Sequence, residues 1–105
     1  MNTLFVINAA FNTGQIVATR GVYDLACKNP DFAQFIQKSL NRHVKGDWGD
    51  MDEEDKQTND QALTQGTRLL SAYNENRFPK NGIATIWIIT EADRSATTIL
   101  FPDEY

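Results

Sequence analysis

Apolar and polar positions follow two different periods along this chain, and each change of period marks an element. In residues 83–90, Ile83, Thr85, Trp87 and Ile89 fall on one side of an extended backbone, while Ala84, Ile86, Ile88 and Thr90 fall on the other. Both sets are largely apolar, which predicts a strand in the middle of a sheet. Residues 91–95 make a short polar connection, and residues 96–101 are a second β-branched and aromatic run able to fold back on the first. Residues 4–10 and 15–19 are also extended in character. Asn12, Thr13 and Gly14 between them suit a tight connection, so a β-hairpin is expected there. Gly21 then interrupts the strand, and residues 22–27 fit a short helical turn burying Val22, Leu25 and Ala26.

The period then changes. Asn29 can cap free amides, Pro30 is preorganised for a first helical position, and Asp31 suits the positive end of the dipole. Phe32, Phe35, Ile36, Leu40 and Val44 follow at helical spacing and predict a helix with one apolar stripe over Pro30–Val44. Arg42, His43 and Lys45 sit in its last turn, where cations are favoured, and Gly46 ends it. Residues 46–55 (GDWGDMDEED) have the most unusual composition in the chain. Asp50 and Glu53 have capping-box-like spacing, predicting a second helix over residues 51–65. Beyond Met51 it offers only Ala62 and Leu63 for burial, so it should be mostly exposed. Gly66 is its stop, residues 69–74 read as a strand, and residues 76–82, with Pro79, Asn81 and Gly82, as a surface turn. The sum is one α+β domain over residues 1–105. An antiparallel sheet of about four or five strands is expected, with helices packed on one face.

Composition narrows the function classes. At 105 residues the chain supports one core but not separate cofactor and substrate domains, and no cofactor is called for. Fourteen acids against ten bases give a net charge of -4, which argues against a broad grip on nucleic-acid phosphates. Cys27 is the lone cysteine, so the chain cannot staple itself, and a reducing cytoplasm is the expected setting. No apolar run approaches membrane-spanning length. There is no phosphate loop, dinucleotide fingerprint, nucleophile elbow or cysteine with a convincing catalytic neighbour.

Two polar clusters are left as candidate chemistry. One joins His43, Asp47, Trp48 and Asp50; the other is Glu91, Asp93, Arg94 and Ser95 at a strand end. If folding joins them, Glu91 as base, His43 as acid and Arg94 as a phosphate clamp would make a metal-independent ribonuclease-like site. The plainer reading is that His43 ends a helix while the acids cap the next. A metal site from Asp47, Asp50, Asp52 and Glu53 matches calcium loops poorly, because the required Gly and terminal Glu positions differ. Clustered acids are more often a solvated face. Trp48, between two Gly-Asp or Asp-Gly steps and outside any periodic pattern, either anchors its loop to the core or projects towards a partner.

Four segments, residues 14–19 (GQIVAT), 42–49 (RHVKGDWG), 68–73 (RLLSAY) and 86–105 (IWIITEADRSATTILFPDEY), resemble a family of small uncharacterised bacterial proteins. Its members occur on plasmids and other mobile elements, and some are labelled as a type I restriction-modification methylase subunit. This chain lacks the Gly-rich cofactor loop and the Asn-Pro-Pro-aromatic motif that a methylase needs. The resemblance implies a mobile-element association and an accessory or anti-defence role, and it carries no catalytic residues. The expected function is therefore a non-catalytic binding or regulatory protein acting through a protein partner. Its expected contact residues are Asp47, Trp48 and Asp50 of residues 46–55, with Glu91, Asp93 and Arg94 of residues 91–95. The ribonuclease-like alternative uses His43, Glu91 and Arg94. A homo-oligomer formed through an uncovered sheet face is compatible with either.

Overall fold

The computed structural model describes residues 9–75 and 85–105. The elements run β1 (Gln15–Ala18), α1 (Arg20–Lys28), α2 (Pro30–Val44), α3 (Glu53–Gln65), β2 (Leu69–Asn74), β3 (Thr85–Thr90) and β4 (Ala96–Leu100), closed by a 3-10 turn at Pro102–Glu104. The strands form one sheet in the order β1-β4-β3-β2, so the run that reads as a central strand is indeed interior.

The fold is α+β, but the sheet is mixed rather than antiparallel. β4 pairs antiparallel with β3, and β3 with β2, whereas β1 runs parallel to β4 with Gln15 opposite Ala96. Sequence reasoning paired β1 with its neighbour in the chain, because a tight connection at residues 12–14 favours a hairpin. In the structure the long-range partner β4 takes β1 instead, through Gln15 N–H to Ser95 O and Thr19 N–H to Ile99 O, both 3.0 Å. Residues 4–8 of the expected first strand, and the expected turn at residues 76–82, lie outside the described residues. Residues 9 and 10 are not in a strand.

The helices follow from local chemistry. Asn29 caps α2 as expected, its side-chain oxygen accepting from Asp31 N–H and Phe32 N–H. α3 starts two residues later than its capping-box spacing suggests. Asp52, not Asp50, accepts from Asp55 N–H at 2.8 Å, because Asp50 is drawn to β2. Gly66 ends α3 in the left-handed conformation, φ 73°. Gly21, read as a strand breaker, instead lies in the first turn of α1, where a side chain would meet Glu104.

Burial divides into two clusters. The larger joins Val22, Ala26, Phe32, Phe35, Ile36, Leu40 and Val44 of α1 and α2 to Tyr73, Ile86, Ile88 and Ile99, alternate positions on the strands, and to Phe101. The smaller holds Trp48, Ala62 and Leu69, with Phe11, Met51 and Leu63 packed around them. α3 therefore has its own small core.

Glu104 ties the end of the sheet to α1. Its carboxylate accepts from Thr19 Oγ1–H (2.6 Å), Gly21 N–H (3.1 Å) and Phe101 N–H (3.0 Å), so it supplies the anion that the helix N-terminus favours. Burial works to raise its pKa, but these hydrogen bonds outweigh it and hold the carboxyl below its ordinary range. A depressed carboxyl contributes stability above its unfolded pKa and loses it as pH falls through the folded value. Glu104→Ala should cost about 1 kcal/mol at neutral pH, less than three charged hydrogen bonds suggest because the site is exposed. Urea denaturation at neutral pH and near pH 3 checks this, and the difference between variant and parent should shrink in acid.

Candidate functional site

A sheet edge carries N–H and C=O groups that must find partners. Here β2 is an edge strand, and the acidic segment read as a partner-binding loop folds along it. Leu70 N–H donates to Asn59 Oδ1 at 3.1 Å, and Asn59 Nδ2–H donates back to Leu70 O. One side-chain amide thus does what a neighbouring strand would do. Ala72 N–H donates to Trp48 O at 3.3 Å, and Ala72 O accepts from Asp50 N–H at 2.7 Å. Gly49 pairs with Ala72 as a single parallel bridge. A side chain at Gly49 would place its Cβ 2.1 Å from Ala72 O, with φ at 80°, so glycine is required for this approach. Asn74 N–H completes the row by donating to Asp50 Oδ2 at 2.8 Å.

Trp48 anchors this cover. It is 3% exposed, its indole N–H donates to Asp60 Oδ1 at 2.9 Å, and its ring stacks on Phe11 at 6.3 Å. Of the two roles open to it, the structure has the anchor. Asp47 pairs with Arg42 at 2.8 Å, and that partner, against a smaller opposing effect of burial, holds its carboxyl below the usual range. Asp47 O also accepts from the Tyr73 hydroxyl at 2.7 Å.

His43 is fully buried on the apolar stripe of α2. Its Nδ1 meets Ser71 Oγ, and its Nε2 lies 2.9 Å from Thr90 Oγ1. Thr90 Oγ1 is 2.8 Å from Thr97 Oγ1, which donates to Thr13 O at 2.7 Å. A carbonyl can only accept, and each hydroxyl has one proton. Thr97 therefore accepts from Thr90, and Thr90 accepts from His43 Nε2–H. Of the two neutral tautomers the chain admits only Nε2–H, in which Nδ1 accepts from the Ser71 hydroxyl. Burial, with repulsion from Arg94, lowers the imidazole pKa to about 3.

A general acid must hold a proton to give and reach a substrate. Near pH 7 His43 is neutral, its remaining proton is held on Thr90, and the ring is sealed from any substrate, so it meets neither requirement, and the expectation that it ends α2 as a cation is corrected for the same reason. Arg94 is also engaged. It takes a left-handed conformation, φ 60°, and its guanidinium donates to Thr67 O (2.7 Å), Glu91 O (3.0 Å) and Ala62 O (3.2 Å). It thereby caps α3, whose own last turn has no basic residue. Asp93 accepts from Ser95 N–H within its turn, and Glu91 is exposed.

The structure brings the two candidate segments together at one place, Phe11, which stacks on Trp48 and lies 5.9 Å below the Arg94 guanidinium. Their carboxylates do not converge. Asp50 is bound at Asn74 and Glu91 follows Thr90, opposite ends of the β2–β3 ladder, about 17 Å apart by strand rise. Among the described residues, no three His, Cys, Asp or Glu side chains are gathered to hold a metal ion. No described helix is long and apolar enough to cross a membrane.

Sequence reasoning missed Asn59, Ser71, Thr90 and Thr97. His43 itself carried a signal, since it lies three residues after Leu40 and seven after Ile36, on the buried stripe. No protein-family model, no curated protein and no solved structure matches this chain.

Asn59→Ala should cost about 1–3 kcal/mol, because it leaves both polar groups of Leu70 without their partner. Asn59→Asp should do no better, since a carboxylate cannot donate to Leu70 O. Urea denaturation measures both, and a loss under about 0.5 kcal/mol would show that water serves the edge equally well.

Proposed function

We propose that this protein is a non-catalytic accessory or regulatory protein that acts by binding a protein partner with a basic surface. The observation that carries the reading is where the charge lies. Residues 50–65 hold six acids against one lysine, a net -5, more than the whole chain's -4. Glu53, Glu54 and Asp55 are exposed on the first turn of α3. Among the described residues the ion pairs are Arg20 with Asp24 and Arg42 with Asp47, so no described cation neutralises these three. α3 is held against β2 through Asn59 and Ala62, which leaves its acids facing outward. An anionic face of this kind speeds and orients encounter with a cationic partner.

The contact surface is accordingly the exposed acids from Asp50 to Asp55, with Glu91 and Asp93 as outlying contributors and Trp48 as support beneath. The mobile-element association implied by the sequence resemblance gives anti-defence action as the setting. The ribonuclease-like reading is not preferred, since buried His43 cannot serve as its acid.

Affinity purification of the tagged protein from a native-like bacterial host at moderate salt tests the proposal. A stoichiometric protein partner is expected, and the triple variant Glu53→Gln, Glu54→Gln, Asp55→Asn should weaken its capture at least about tenfold while leaving the fold intact. Rising salt should mimic the variant. Recovery of no protein, or of RNA alone, would overturn the proposal.

A further inference from the structure

The two cores meet at His43. On one side its helix belongs to the larger core through Leu40 and Val44; on the other its ring lies edge-on to Phe11 at 5.4 Å and Trp48 at 5.7 Å, which belong to the smaller one. The smaller core buries few apolar side chains, Trp48, Ala62 and Leu69, and residues 46–66 are otherwise held by hydrogen bonds: the Asn59 amide on Leu70, Trp48 and Asp50 on Ala72, Asp50 on Asn74, Asp47 on Arg42 and Tyr73, and Arg94 on the end of α3. Regions with so few buried contacts open more readily than the rest of a domain. Opening this one would bring water to the imidazole.

The groups around His43 offer no compensation for a positive charge. Arg94, from the β3–β4 turn, is a cation and repels one. Arg42, on α2, faces Asp47, and Asp47 is thereby occupied. Asp60, on α3, accepts from the Trp48 indole. Tyr73, on β2, donates to the Asp47 carbonyl, and β3 and β4 present only the hydroxyls of Thr90 and Thr97. No carboxylate hydrogen-bonds the ring, both of whose nitrogens are held by hydroxyls.

We infer that His43 is an acid-sensitive latch: its protonation releases residues 46–66, the edge cover together with α3, as a unit while α1, α2 and the sheet stay folded. The sign follows from linkage. His43 binds a proton near pH 6.5 when the unit is open and only near pH 3 when it is closed, so the open form gains protons as pH falls between those values. Its population should rise by up to about tenfold per pH unit within that window, and about 25-fold between pH 7 and pH 5. The comparison is made between pH 7 and pH 5, above the ordinary range of carboxyl groups, so that the histidine dominates the change.

Amide exchange followed by NMR from about pH 7 to about pH 5, corrected for intrinsic rates, tests this inference. Amides of α3 and of Leu70 and Ala72 should lose about 25-fold in protection while those of Leu40 and Ile88 keep theirs. In His43→Gln the pH dependence should vanish. Should that variant fail to fold, the imidazole nitrogen spectrum of the parent protein decides: the neutral Nε2–H tautomer should persist in the closed form below pH 5. A histidine titrating near pH 6.5 in the folded protein, equal loss of protection in α3 and the sheet, or no pH dependence at all would each overturn the inference.

Discussion

The edge of β2 is the constraint on which the rest of this structure depends. An open strand edge is a template for unwanted pairing, and most small sheets cover or charge it. This chain covers it with a loop backbone at Trp48 and Asp50, a loop side chain at Asp50 and a helix side chain at Asn59. These contacts explain why an otherwise polar helix stays on the molecule. α3 buries little beyond Ala62 and Asn59, so its position is set by hydrogen bonds to the strand and by the Trp48 wedge beneath it. Because the cover uses only the inward side of the segment, the acids on its outer side are left to solvent and to any partner.

His43 shows how burial changes the meaning of a residue. A histidine beside arginines and carboxylates reads as a proton-transfer group, but the same side chain inside a ring of hydroxyls becomes part of the core's polar bonding. Every buried side-chain nitrogen and oxygen among the described residues has a partner, so this network is complete rather than waiting for a ligand. The direction of its protons is set at Thr13 O, several residues away from the ring.

Much of the fold was legible because local rules and tertiary packing agree. The α2 stripe and its Asn29 cap, the Gly66 stop, and strands β2, β3 and β4 follow from periodicity and turn chemistry. The parallel pairing of β1 was not legible, since β4 lies some eighty residues further along and nothing local to β1 names its partner. The candidate residues were found as a set, but their roles were not. Trp48, Asp50, Asp52 and Arg94 look like free functional groups until the strand edge and the helix end that engage them are in place. Asn59 carried no signal at all, because a polar residue in a polar helix is ordinary until a strand edge lies beside it. The physical lesson is that edge satisfaction is a long-range requirement, and sequence periodicity reports only on side-chain burial.

The most direct test of the covered edge is NMR measurement of scalar couplings across the hydrogen bonds that close β2. Measurable couplings are predicted from Ala72 N to the Trp48 carbonyl and from Asp50 N to the Ala72 carbonyl, alongside those of the β2–β3 ladder. Ladder couplings without the two edge couplings would mean that the loop does not cover the strand, and that Trp48 and Asp50 do not hold α3 in place.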